Sequence, residues 1–201
     1  MISNKKDFLY YTKCDLISLG CFPLSKKRKV ESLFTPAIWK YELLLRKMEY
    51  LSNCKSGLFS KIHKKFLELR LINYGNKLGG GVEVPINVCG PGLCIGHKGT
   101  LIINPNAKIG SNARIQADVN IGNNSSLGKN WVPDNVPTIG NNVYIGPGAK
   151  LFGKITIGDN VAIGANAVVN KDIEPNVTVA GVPAKIISRK PSNVVHGDER
   201  F

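Results

Sequence analysis

The sequence predicts a mainly β fold, a left-handed parallel β-helix (a hexapeptide solenoid), with an α-helical region before it. The first observation is an aliphatic residue at every sixth position in two runs, over residues 103–121 and 139–169. The second is a small or β-branched residue four positions after each of them. An alternating strand has a period of two and a helix a period of about 3.6, so a period of six indicates a hexapeptide solenoid.

Each six-residue unit supplies one short strand and a turn, and three units close one triangular coil. Because one coil cannot bury its own aliphatic row, neighbouring coils must stack. Glycine follows many of the aliphatic positions, where we expect tight or left-handed backbone at the corners. These glycines are Gly110, Gly122, Gly140, Gly146, Gly158 and Gly164.

The two runs are interrupted at residues 123–138. Ile121 and Ile139 are eighteen residues apart, which is three whole units. We therefore expect Leu127 to continue the wall and residues 129–137 to leave it as a loop. That loop carries Trp131 and two prolines, and function is often found in loops held on a rigid scaffold.

Three segments follow from these patterns: a helical region over 1–80, the β-helix over 81–187 and a tail over 188–201. Thr35 and Pro36 are a typical helix start, and residues 37–51 are rich in helix formers. A second helix is predicted after Gly57 from apolar residues at helical spacing. These residues are Leu58, Ile62, Phe66, Leu69 and Ile72.

The charge of +13 is concentrated in the helical region, where residues 1–80 hold 16 Lys and Arg against 6 Asp and Glu. This surface either is simply solvated or attracts an anionic partner, such as a phosphorylated ligand, an acidic polysaccharide or the inner membrane face. No nucleic-acid reader motif is present, so we expect no nucleic-acid partner. No apolar run has the length of a signal peptide or membrane span, which predicts a cytoplasmic protein.

Cysteine and histidine are the residues in which catalytic or metal chemistry is first sought. The five cysteines lack metal-ligand spacing, which favours free buried thiols over disulfides or a metal site. Of the three histidines, His63 and His196 are predicted to be exposed and idle. His97 lies between glycines, just before the repeat settles into register, and is the candidate for moving a proton near neutral pH.

Residues 81–187 resemble the serine acetyltransferase branch of the hexapeptide acyltransferases, most closely its sugar and capsular-polysaccharide O-acetyltransferases. The segments that carry the resemblance are residues 81–85 (GVEVP), 92–97 (GLCIGH), 136–140 (VPTIG), 143–149 (VYIGPGA) and 180–185 (AGVPAK). The resemblance implies that His97 is the general base for an acceptor hydroxyl, and that Glu83 orients its imidazole. Glu83 is alternatively a surface carboxylate at the entrance of the solenoid.

The same resemblance implies acetyl-CoA as co-substrate, bound in a groove between two solenoids of a homotrimer. The family's contact positions fall on Pro147, Ala165, Asn170, Lys171 and Lys185. The two lysines either meet the CoA phosphates or are solvated wall charges.

Two departures from the serine enzymes bear on the acceptor. Those enzymes carry an Asp before the catalytic His and a second His in the loop, where this chain has Gly96 and Val136. We therefore predict a carbohydrate acceptor, anionic or lipid-linked, with Trp131 either stacking on the sugar or anchoring its own loop. Serine is the alternative acceptor. A non-catalytic scaffold is a further alternative, and a zinc enzyme of the carbonic anhydrase type lacks the histidines it needs.

Overall fold

Three helices precede a stack of short strands in the computed structural model, which describes residues 1–20, 37–124 and 132–191. The helices are α1 (Lys5–Ser18), α2 (Ala37–Cys54) and α3 (Leu58–Lys77). The strands are β1 (Val82–Glu83), β2 (Cys94–Ile95), β3 (Leu101–Ile103), β4 (Lys108–Ile109), β5 (Arg114–Ile115), β6 (Val119–Gly122), β7 (Thr138–Ile139), β8 (Tyr144–Ile145), β9 (Lys150–Phe152), β10 (Thr156–Ile157), β11 (Ala162–Ile163), β12 (Val168–Val169), β13 (Thr178–Ala180) and β14 (Lys185–Ser188).

The strands form three walls, which we name sheets A, B and C. Sheet A has the order β1-β3-β6-β9-β12, sheet B the order β10-β7-β4, and sheet C the order β14-β13-β11-β8-β5-β2. The strand pairs within these walls are parallel, except that β14 turns back antiparallel on β13. The chain visits A, B and C in turn, so each round of three strands is one coil of the predicted solenoid.

The repeat positions identified in the sequence form the core. Ile115, Ile145 and Ile163 are aligned in sheet C, and the other walls have equivalent columns. The aliphatic wall residues are all at most 4% exposed. The residues four positions later are also buried, apart from Ile173, which is partly buried, and Ser125, which lies outside the described residues. Burial of each large aliphatic side chain contributes about 1.5–3 kcal/mol, so the stacked columns hold the coils together.

The corner glycines serve a different purpose from the one expected. None of the six has a positive φ. They are needed because successive coils approach closely: a Cβ on Gly146 would lie 2.7 Å from the backbone nitrogen of Ala165. The prediction of left-handed backbone at these glycines is therefore wrong.

Asparagines occupy a set of left-handed positions that recurs from coil to coil. Asn112, Asn142 and Asn160 each have φ 58° and Asn176 has φ 62°. Their carboxamides form a ladder from coil to coil, with Nδ2–Oδ1 distances of 3.0, 2.9 and 2.8 Å. Asn tolerates this backbone better than other side chains because its short amide hydrogen-bonds locally, so the ladder stabilises one corner of every coil it crosses.

The interruption at residues 123–137 lies between β6 of sheet A and β7 of sheet B. Ile139 lies in sheet B, paired with Ile109 on one side and Ile157 on the other. β7 takes the wall position that follows β6, so the eighteen residues from Ile121 to Ile139 advance the chain by one wall. Spacing by a multiple of six cannot distinguish a coil from an insertion of the same length. Leu127 and Trp131 lie outside the described residues.

The helices agree in part with the sequence. Helix α2 begins at Ala37 as expected and extends to Cys54, whereas Thr35 and Pro36 lie outside the described residues. Helix α3 begins at Leu58 as predicted. Helix α1 was not predicted; Asn4 caps it by accepting hydrogen bonds from the backbone N–H groups of Lys6 and Asp7. None of the helices in the described ranges is long and apolar enough to cross a bilayer.

Candidate active site

His97 follows β2 at the corner where the chain passes from sheet C to sheet A, and its side chain is exposed. Gly96 anchors this corner by donating its backbone N–H to the carbonyl of Ile115 at 2.8 Å. Gly99 donates to the carbonyl of Leu78, which ties the same turn to the end of the helical region. The fold therefore presents the imidazole to solvent from a corner held on two sides.

Two of the predicted CoA contacts lie on the same corner as His97. The strands of sheet C are in register, with Ile95, Ile115, Ile145 and Ile163 aligned. The residues two positions later form an edge that runs up the solenoid: His97, Ala117, Pro147 and Ala165. Parallel strands are about 4.8 Å apart, so this edge extends about 14 Å from His97 to Ala165. Small and backbone groups line it, as a narrow acyl-carrying arm requires.

Lys185 lies beyond the upper end of this edge. It pairs with Ala180 in the antiparallel ladder of β13 and β14, and Ala180 lies beside Gly164 in the next coil. Its amino group is exposed. Lys185 is thus placed about two strand spacings beyond Ala165, where it adds a positive charge past the end of the edge.

Asn170 and Lys171 lie elsewhere on the chain. They follow β12 at the corner between sheets A and B, and both are exposed. Sheet A separates them from the edge that carries His97. Within a single chain, the predicted CoA contacts therefore fall on two different corners.

Glu83 is exposed on the outer side of sheet A. Its carboxylate lines a cleft of about 470 Å³ between α3 and the first two coils, together with Tyr41, Ile72 and Asn76. His97 does not line this cleft. Within the described ranges neither side chain has a hydrogen-bond or ion-pair partner, so the pairing of Glu83 with His97 stays a prediction.

Buried charges of the helices hold the coil that carries His97. Asp15 Oδ1 accepts from the backbone N–H groups of Gly92 and Leu93 at 2.8 and 2.9 Å. Arg46 donates to the carbonyls of Cys89 and Gly90 at 2.9 and 2.7 Å and pairs with Asp15 at 2.7 Å. These groups belong to the first coil, which has no coil below it. Charged side chains from α1 and α2 thus replace the missing strand partners.

The sequence analysis missed this network because its contacts join residues 31 to 78 positions apart. One signal was available: Glu42, Arg46 and Glu49 share one side of α2 at spacings of four and three, which is typical of an ion-paired helix face. All three are buried, at 1% exposure or less. Burial raises the pKa of Glu42 well above its usual range, and the nearby Asp15 charge raises this pKa further.

The residue before His97 makes a close contact with the next coil. A Cβ on Gly96 would lie 2.4 Å from Oε1 and 2.6 Å from Nε2 of Gln116. Gln116 is 7% exposed, and its carboxamide has no hydrogen-bond partner among the described residues. A polar group nearly enclosed by protein therefore lies beside the turn that carries the imidazole. The sequence analysis did not single out Gln116.

The remaining candidates are only partly described. Trp131 and His196 lie outside the described residues, and His63 is exposed on α3 as predicted. Val136 is buried rather than presented to solvent. Cys14, Cys89 and Cys94 are buried thiols, and burial raises the pKa of Cys89 to about 12. In the described part of the chain, no group of three or more His, Cys, Asp or Glu residues is placed to hold a metal ion.

Part of the repeat is similar to a known protein family. Residues 137–171 match the family described as bacterial transferase hexapeptide (six repeats). No curated protein matches the chain. The prediction of a left-handed β-helix with an N-terminal helical region is confirmed, since solved structures of this fold match nearly the whole chain.

Serine acetyltransferases are among the solved structures that match. The enzyme from Brucella abortus in complex with coenzyme A is 25% identical with a TM-score of 0.69, and the match covers 95% of this chain and 71% of that one. The enzyme from Neisseria gonorrhoeae is 26% identical with a TM-score of 0.68, covering 94% and 69%. The matched regions support an acetyl-CoA-dependent acyltransferase and include the helical region as well as the repeat.

Proposed function

We propose that this protein is an acetyl-CoA-dependent O-acetyltransferase with His97 as its general base. The observation that carries the proposal is the edge formed by His97, Ala117, Pro147 and Ala165. It joins an exposed imidazole to a row of small groups on a scaffold whose structural relatives include a coenzyme A complex.

The proposed step is direct transfer. The imidazole of His97 takes the proton of the acceptor hydroxyl while the oxygen attacks the thioester carbonyl. The carbon–sulfur bond then breaks, and the CoA sulfur leaves with the proton that the imidazolium returns. A carboxylate at the other ring nitrogen stabilises the imidazolium as it forms, and Glu83 is the residue we propose for this role.

The proposal includes a homotrimer. Pro147, Ala165 and Lys185 lie at one corner of the solenoid, and Asn170 and Lys171 lie at another. A groove between two copies brings one corner of each together, so all five residues then line one binding site. Lys171 and Lys185 supply positive charge for the CoA phosphates.

For the acceptor, the comparisons favour serine over the carbohydrate predicted from the sequence. Solved structures that match over nearly the whole chain include serine acetyltransferases, at about a quarter identity. L-serine is therefore the first acceptor to test.

A carbohydrate hydroxyl is the second candidate, because two observations favour a neutral acceptor. Gly96 has no side chain to pair with an ammonium group, and the space that a Cβ would need there is taken by Gln116. Val136 is apolar and buried. A site that binds serine without those polar groups would leave the charges of the substrate unpaired unless other groups replace them.

The test is acetyl transfer from labelled acetyl-CoA to a panel of alcohols that includes L-serine and neutral and anionic sugars. His97→Ala is expected to lower kcat by at least about a hundredfold on the accepted alcohol. Glu83→Gln is expected to lower kcat with little change in the KM for acetyl-CoA. His63→Ala, a change at an exposed histidine of α3, is the matched control and should leave kcat unchanged.

The outcomes separate the proposals. Transfer at the wild-type rate by His97→Ala refutes the general base. A wild-type protein that acetylates no alcohol of the panel and binds no coenzyme A supports the non-catalytic scaffold. A gel-filtration and light-scattering mass of one subunit contradicts the homotrimer.

A further inference from the structure

Helix α3 carries a row of large apolar side chains that the domain leaves exposed. Six residues share one side of the helix, an adjacent pair followed by four at spacings of three or four, and each is 54–89% exposed. We name this row the outer stripe: Leu58, Phe59, Ile62, Phe66, Leu69 and Ile72. Exposed apolar rows of this extent mark interaction sites in soluble domains.

The opposite side of α3 already holds the helix to the domain. Leu67 and Gly75 are buried there, and Leu71 and Tyr74 pack against the core. The C-terminal end of the helix faces the cleft beside β1. The outer stripe is therefore a second apolar face, additional to the one that packs on α2 and the solenoid, and at its end Ile72 also lines that cleft.

Cations lie within and beside the outer stripe. Helix α3 carries Lys61, Lys64, Lys65, Arg70 and Lys77 against a single acidic residue, Glu68, which already pairs with Lys65 at 2.9 Å. Their long aliphatic stems can lie along an apolar surface while the charged ends reach a polar layer.

We propose that the outer stripe docks on an anionic lipid bilayer, with α3 lying in the plane of the headgroups. An apolar face bordered by Lys and Arg is the pattern of interfacial helices. The basic ends match the negative surface of such a membrane. The proposal is independent of which alcohol the enzyme acetylates.

Charge decides against a second copy of the same stripe as the occupant. Pairing two copies of α3 brings five cations of one helix against five of the other, and each contributes one carboxylate that is already paired. Among the described helices, α2 exposes no comparable row, and α1 exposes only Leu9 and Tyr10 among its large apolar residues.

The experiment measures binding of the full chain to vesicles by flotation. One set contains phosphatidylcholine alone, and the other contains phosphatidylcholine mixed with phosphatidylglycerol. We expect binding to the mixed vesicles only, weakening as salt increases. Phe59→Ser combined with Phe66→Ser should lower the partition constant at least about tenfold, and Lys61→Gln combined with Arg70→Gln should lower both the binding and its salt dependence.

The matched control is Ile187→Ser, a change at an apolar residue that is 66% exposed at the other end of the solenoid, which should leave binding unchanged. Absence of binding to mixed vesicles, or equal binding to neutral ones, overturns the proposal. If the Phe59 and Phe66 changes lower the number of subunits by light scattering while the wild type ignores vesicles, the outer stripe is an interface between copies and the proposal is wrong.

Discussion

The carboxylate of Glu42 accepts a hydrogen bond of 2.9 Å from the backbone N–H of Ile95, two residues before His97. Its other oxygen, Oε2, is buried and has no hydrogen-bond partner among the described residues. The helical region thus contacts the main chain directly beside the candidate base. The contact comes from an acidic group whose charged form is poorly solvated.

The first prediction concerns Glu42 and pH. Its pKa is raised in the folded protein by burial and by Asp15, so the folded state binds this proton more tightly than the unfolded state does. The resulting stability is fully present below the unfolded pKa of about 4.5 and is lost as pH rises through the folded pKa. Glu42→Gln stays neutral at every pH and still accepts from Ile95.

We therefore expect Glu42→Gln to raise the free energy of unfolding above pH 5 by about 1–3 kcal/mol and to flatten its decline with pH. Denaturant unfolding at several pH values measures both effects. Glu68→Gln, at an exposed residue of α3, is the control and should change neither. A Glu42→Gln protein that is less stable than the wild type at neutral pH contradicts the reasoning.

The second prediction concerns Arg46. Arg46→Met removes the partner of Asp15 and Glu49 and leaves two buried carboxylates and two carbonyls of the first coil unpaired. Breaking a buried ion pair from one side costs about 3–5 kcal/mol. Arg189→Met breaks an exposed pair with Glu174 and should cost at most about 1 kcal/mol. Equal losses in the two variants, measured by denaturant unfolding, contradict this prediction.

The sequence predicted the walls of the solenoid because their spacing is a direct consequence of the fold. The period did not assign Ile139 to a wall, since its eighteen-residue spacing from Ile121 is compatible with an advance of one wall or of three. The sequence also did not show which way the apolar side of α3 faces. Spacing shows that Ile62, Phe66 and Leu69 share a side, but not whether that side packs on the core or is exposed.

The candidate site likewise contains residues that could be predicted from the sequence and residues that could not. His97, Pro147 and Ala165 could be identified from local motifs, and the register of sheet C confirms that they share an edge. The support beneath His97 could not be identified, because Asp15 and Gly92 are 77 positions apart and meet only in the folded chain.

The third prediction concerns Gly96 and Gln116. Gly96→Ala places a methyl group within 2.4 Å of the Gln116 carboxamide and must displace it. Gln116→Ala removes the obstruction, so the double variant should recover much of the stability that Gly96→Ala loses. In a double-mutant cycle we expect a coupling of about 0.5–3 kcal/mol. Additive effects on the free energy of unfolding show that the two residues do not constrain each other.

The fourth prediction concerns the asparagine ladder. Asn142 has φ 58° and hydrogen-bonds to both Asn112 and Asn160. Ala and Gly at this position both lose the ladder, but Ala also meets the left-handed backbone, which costs an L-residue roughly 1–2 kcal/mol. Asn142→Ala should therefore be less stable than Asn142→Gly.

Thr156 is an exposed strand residue with no positive φ, so Thr156→Ala should be more stable than Thr156→Gly, the reverse of the order at Asn142. Thermal unfolding of the four variants checks both orders. The same order at both positions contradicts the role assigned to the backbone of Asn142.

The side chains of α1 and α2 that contact residues 82–95 also affect whether copies of the molecule can associate end to end. A column of parallel strands is open at its ends, and an open end can template the addition of another chain and grow into fibres. At the first coil, Asp15, Tyr41 and Arg46 hydrogen-bond to main-chain groups at the open end. At the other end of the solenoid, β14 pairs antiparallel with β13. Helices α1 and α2 therefore block the growth of filaments from the first coil, whatever the acceptor of the enzyme.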